Sequence, residues 1–174
     1  MIFQNFIVKR KIQSLLKETP ARKSHFCSLY EANTFLVVFD IKDKDEILRC
    51  VERLKELDKT IYISVFIPKK PKTTYEIDPS WLVVNEEGFD SKGLPPVEIC
   101  EQFYALQADI MIDLTRHDNF VMHYLQLMHP ASFKVGNKSS LRNLFDLTVT
   151  MGVDDDIPQF FEHILFYLQT IRSK

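Results

Sequence analysis

"TFLVVFDIKDKDEILRCVERLKELDKTIYISVFIP" (34–68) decides the fold. Residues 34–41 form a nearly unbroken apolar run, rich in β-branched and aromatic side chains. That length and composition predict a strand buried on both faces. Over 43–57 the period changes. Apolar side chains at 47, 48, 51, 54 and 57 mark one helical face, and acids in the first turn suit the positive end of a helix. Residues 60–68 return to the strand pattern and stop at Pro68. Strand, helix and strand at this spacing predict a βαβ unit with parallel pairing.

The alternation continues outward in both directions. After a polar stretch, "WLVV" (81–84) reads as a short third strand. "NEEGFDSKGLPP" (85–96) is a loop holding two of the four glycines. Helices are expected over 97–106, 118–128 and 157–172, and strands over 108–114, 131–136 and 144–151. Residues 2–18 carry apolar side chains at 2, 3, 6, 7, 12, 15 and 16, an amphipathic helix ended by Pro20. The expected architecture is a single Rossmann-like three-layer α/β domain over 31–174. Its sheet is mainly parallel, with five or six strands, and a basic helical arm over 1–30 precedes it.

Composition narrows the function classes. With 174 residues, 45% hydrophobic and 26% charged, the chain suits one soluble globular domain. A net charge of −2 does not point to a nucleic-acid binder. The charge is uneven, however. Lys9, Arg10, Lys11, Lys17, Arg22 and Lys23 face only Glu18 within the first 24 residues, so a basic arm precedes an acidic remainder. Three widely spaced cysteines, Cys27, Cys50 and Cys100, form no CxxC pair and suit a reducing cytoplasm. No run of 18 apolar residues exists to span a membrane, and the N-terminus is not expected to be a signal peptide.

In a parallel sheet of this kind ligands bind beyond the carboxyl ends of the strands. This singles out Asp40 and Lys42, Pro68 to Lys70, Asp113 to His117, and Gly136 to Ser139. The densest chemistry is Asp113, Thr115, Arg116 and His117. Arg116 has the donors to grip a phosphate or carboxylate, and the imidazole of His117 is the group there that could act as acid or base. The plainer reading is a turn in which Thr115 or Asp118 caps the next helix. Lys134, Gly136, Asn137, Lys138 and Ser139 offer cations and backbone donors for an anion. No GxxxxGK[ST] or GxGxxG occurs, which argues against a nucleotide hydrolase or a dinucleotide oxidoreductase.

Asp154, Asp155 and Asp156 resemble a metal triad, but Pro158 just behind them predicts a helix start capped by Asp. His117, His123 and His129 recur at six-residue steps, about 240° on a helix, so they do not share a face. No GxSxG is present, and Cys100 falls inside a helix. We therefore expect no metal, no cofactor and no catalytic set. The arm has two readings. Phe3, Phe6, Ile7, Leu15 and Leu16 pack on the domain, or the Lys9-Arg10-Lys11 block docks on a partner.

"VVFD" (37–40), "DIMIDL" (109–114), "SFKVG" (132–136) and "FDLTV" (145–149) resemble an uncharacterised family of Bacteroidetes-type bacteria, which implies no activity. "ADIMIDL" (108–114), a helix and "FKVG" (133–136) are also similar to the first domain of bacterial heptosyltransferases, where an "xDLVIDL" strand, a helix and an "RRIGF"-type strand follow one another. That likeness implies a Rossmann-like half of a sugar transferase. Those enzymes place a Gly-Asp loop after their first strand, where this chain has Ile41, Lys42, Asp43 and Lys44. A second domain, which binds most of the sugar nucleotide there, is not expected here. The expected role is a non-catalytic accessory module with a protein partner. The alternatives are a phosphorylated or carboxylated ligand at the strand ends, held by Arg116, Lys134 and Lys138, and RNA or an anionic membrane surface at the arm.

Overall fold

The computed structural model describes residues 2–18, 25–139, 141, 143–152 and 155–170. Helix α1 (Ile2–Glu18) comes first; Pro20, expected to end it, lies outside the described residues. Then come β1 (Thr34–Asp40), α2 (Lys44–Lys55), β2 (Thr60–Ile67), β3 (Leu82–Asn85), α3 (Val97–Ala105), β4 (Ile110–Asp113), α4 (Phe120–Met128), β5 (Phe133–Asn137), β6 (Leu147–Val149) and α5 (Ile157–Thr170). The six strands form one sheet in the order β3-β2-β1-β4-β5-β6, and each neighbouring pair is parallel. The chain is a single α/β domain of Rossmann-like topology. The order reverses between β1 and β4, which makes that junction the switch point of the sheet.

The pleat explains why β1 reads as a continuous apolar run. Phe35, Val37 and Phe39 point to one face and join α2 and α5. Leu36 and Val38 point to the other and meet Met111, Phe103 of α3, and Met122 and Leu125 of α4. All five are fully buried. Each such side chain contributes roughly 1.5–3 kcal/mol of transfer free energy. At the other end of the strands, one carboxylate oxygen of Asp109 accepts from Asn33 N (2.8 Å), Thr34 N (3.0 Å) and Thr34 Oγ1 (2.9 Å), pinning the starts of β1 and β4 together.

Helix α1 lies against α4 on the outside of this three-layer stack. Its seam is Val8 and Ile12, buried with Leu141 and Leu144. This differs in part from the expected inner face, of which Leu16 packs on the seam. Phe6 is 62% exposed, and the side chain of Phe3 lies outside the described part. Lys9 and Lys11 stand over the rings of Phe120 (5.1 Å) and Tyr124 (5.4 Å) of α4.

Two other boundaries moved for identifiable reasons. The strand expected over 144–151 shrinks to Leu147–Val149. Leu144 turns toward α1, and Asp146, just ahead of β6, is held to Lys134 twice: its N donates to Lys134 O and its carboxylate accepts from Lys134 N, both at 2.8 Å. The start of α4 is capped by Asn119, whose side chain accepts from Met122 N at 3.2 Å, and not by Thr115 or Asp118. The start of α5 follows the sequence closely. Asp156 accepts from Gln159 N at 2.8 Å, Gln159 accepts from Asp156 N at 3.1 Å, and Pro158 sits in the first turn. Asp154 lies outside the described residues, as does the expected end of α5.

Candidate functional site

Because all six strands are parallel, the four stretches singled out in the sequence lie along one edge of the sheet. At the switch point that edge is filled by side chains of the chain itself. Arg116 follows β4. Its Nη2 donates to both carboxylate oxygens of Glu46 on α2, at 2.9 and 2.8 Å. Its Nε lies 3.4 Å from Asp43, and its Nη1 donates to the Asp155 carbonyl at 3.4 Å. Glu46 also accepts from Ile157 N, the first N–H of α5, at 2.9 Å. A carboxylate at a helix N-terminus is favourable, and two-pronged pairing with Arg makes it directional. The β1 end, α2, the β4 end and α5 are thus tied at one point.

Asp40 sits beside this cluster, accepting from Asn119 Nδ2 at 3.3 Å with Lys42 3.9 Å away. Burial pushes its carboxyl up to about 6, against the pull of Lys42 and Asn119. Asp43 is raised as well, first by burial, with Lys42 and Arg116 opposing. A phosphate brought to the start of α2 would meet Asp40, Asp43 and Glu46. In the dinucleotide-binding version of this topology the same place offers bare backbone N–H groups and glycines.

One strand along, between β4 and β5, a polar cleft of about 240 Å³ opens, lined by Asp113, Thr115, Arg116, His117, Asp118, His123, Asn137, Lys138 and Ser139. Asp113, Thr115 and His123 form its buried side, while His117, Asp118 and Lys138 are exposed at its mouth. The Asp113 carboxylate accepts from Thr115 N at 2.8 Å, a turn that holds its second oxygen toward α4. That oxygen is 3.8 Å from His123 Nε2. His123 Nδ1 is 4.0 Å from Asp118, which accepts from Ser139 Oγ at 2.7 Å. Nδ1 has no hydrogen-bond partner among the described residues, although the ring is 2% exposed. Burial holds the imidazole below its usual pKa, with the two carboxylates pulling the other way. The rings of Phe120 and Phe145 meet it edge-on at 6.1 and 6.2 Å.

The cleft therefore gathers Asp113, Thr115, Arg116, His117 and Lys138 from the sequence candidates, but not Lys134 or Gly136. Lys134 is 1% exposed, and its ammonium donates to the carbonyls of Gln126 (2.6 Å) and Leu127 (3.1 Å) at the end of α4. Gly136 is small because the Phe145 ring lies on it; an added Cβ would stand 2.6 Å from Cζ of that ring. Among the described residues no three His, Cys, Asp or Glu side chains converge as a metal set. His129 is structural, its two nitrogens engaging Leu106 O (2.7 Å) and Ala131 N (3.0 Å). His123 is the site residue that sequence reading passed over, since it appeared only as one of three spaced histidines.

A family model matches residues 4–171 of the chain. The chain belongs to a family of unknown function, DUF6913. No curated protein and no solved structure matches it. Membership in DUF6913 agrees with the expected uncharacterised relationship and assigns no chemistry to the cleft. No helix among the described residues is long and apolar enough to cross a membrane.

Proposed function

We propose that this chain is a non-catalytic interaction module whose partner is an acidic protein surface met by α1. The supporting observation is the outward stripe of that helix. Phe6, Arg10, Gln13 and Lys17 are all exposed and recur at helical spacing, while Val8 and Ile12 are spent on α4. Because the apolar seam is already covered, little remains to insert into a bilayer. The ion-pair cluster at the switch point supports a structural use of the place where related topologies carry nucleotides. Three free cysteines support a cytoplasmic setting. The test is native mass spectrometry of the protein recovered gently from its own cells, beside the double variant Arg10→Glu, Lys17→Glu. The wild type should carry a protein partner and the variant should lose it with unchanged melting temperature. A bound RNA, or a partner retained by the variant, overturns the reading.

A second reading places a small ligand in the β4–β5 cleft, with His117 and Lys138 at its mouth meeting a phosphate or carboxylate. It is supported by the convergence of polar side chains from two strand ends. The likeness of β4, α4 and β5 to the first domain of heptosyltransferases belongs with this reading, whereas a Bacteroidetes-type origin favours neither.

A further inference from the structure

Arg116 and Lys134, the cations expected to make this edge an anion site, are both engaged by the chain's own oxygens. What the buried side of the cleft offers is mostly acceptors. Asp113 is a carboxylate 2% exposed, and His123 brings a ring nitrogen without a partner among the described residues. Neither gap around the imidazole, 3.8 Å to Asp113 and 4.0 Å to Asp118, is a hydrogen bond. An unpartnered polar atom this deep is costly, so a group that bonds it gains accordingly.

We infer that the β4–β5 cleft binds a small polyol, its hydroxyl groups donating to the Asp113 carboxylate and bonding the ring of His123. This rests on the second reading above, that the cleft holds a small ligand at all, and names its chemistry. A hydroxyl both donates and accepts, so it satisfies a carboxylate and either imidazole tautomer. A bare anion supplies no donor to Asp113 and meets it as like charge. An ammonium supplies donors but must pass Lys138 at the mouth. The volume of about 240 Å³ is small, which suits a compact sugar or cyclitol and no nucleotide.

The test uses the full chain with ¹⁵N-labelled histidine, titrated separately with ribose, glucose, myo-inositol, inorganic phosphate and ethylammonium. The ring nitrogens of His123 are followed throughout, so the wild type alone gives an answer. At least one polyol should shift a His123 nitrogen saturably, and Asp113→Asn should weaken that binding about tenfold. Asparagine can still accept from Thr115 N, so this variant keeps the turn. A shift caused by phosphate or ethylammonium and by no polyol overturns the inference and leaves the cleft a site for the other class. No shift with any probe overturns both the inference and the second reading. Polyol binding that ignores Asp113→Asn lies elsewhere on the chain and overturns the inference.

Discussion

At the switch point Arg116 meets Glu46 at 2.8 Å, and Glu46 meets the first N–H of α5 at 2.9 Å. One strand along, His123 stands 3.8 Å from one carboxylate and 4.0 Å from another, and touches neither. Both places lie on the same edge of one parallel sheet, and both combine acids with a base. The difference is in what each acid faces. Asp43 and Glu46 share one guanidinium, which engages both oxygens of Glu46 and one of Asp43, while Asp43 Oδ2 has no hydrogen-bond partner among the described residues. Asp113 faces an imidazole 3.8 Å away, beyond hydrogen-bond reach, and burial holds that ring below its usual pKa, so no charge pair closes there. Fold topology alone would have placed the ligand at the first position. The side-chain chemistry is why we propose the second.

The largest test of this contrast is Arg116→Leu. It leaves two acids partly buried beside the start of α5, and it should cost about 3 kcal/mol in urea unfolding. A loss below about 1 kcal/mol would put the cluster on the level of a surface ion pair and break the comparison. Next is Gly136→Ala. With Cβ at 2.6 Å from the Phe145 ring, the ring that contacts His123 must move, at about 2 kcal/mol. The double variant with Phe145→Leu should recover part of it.

Asp40→Asn should act in the opposite direction. The Asp40 carboxyl keeps its proton up to about pH 6 when folded, against 3.8 in the free chain. Between those values the folded state binds more protons, so its contribution to stability falls as pH rises and is lowest above pH 6. The variant should therefore be more stable by about 2 kcal/mol at pH 7, with the gain gone near pH 4. Equal stabilisation at both pH values would mean that the Asp40 carboxyl titrates alike in the folded and the unfolded chain. The smallest effect is expected for His117→Ala at the exposed mouth, within about 0.5 kcal/mol in the same unfolding measurement.

The legible parts of this molecule are those carried by period. Phe35 to Phe39 alternate between two cores, and α2 repeats its apolar face, so β1 and α2 could be placed within two residues. The cap at Asp156 was legible because Asp, Pro and Gln act locally. The partner of Arg116 was not. Glu46 lies 70 residues away, and no local pattern couples them. Gly136 looked like part of an anion loop because the ring that demands it, Phe145, lies outside β6, in the part of the expected strand that the structure shows as loop. The depth of His123 left one local hint, its spacing of three from Phe120, which puts both on one helix face.

The bond from Ile157 N to Glu46 closes a loop of 111 residues. During synthesis at about 5–20 residues per second, Glu46 emerges roughly 6–22 s before the helix it caps. Arg116 emerges 70 residues after Glu46, so the acids of the first βαβ unit wait for it through only the first part of that interval, while the α5-facing core surface stays open to the end. Closure is a late, non-local event, and contacts of that range slow folding. The residue that locks the finished domain is thus one of the last to find its partner, and the nascent chain is most in need of protection before α5 arrives.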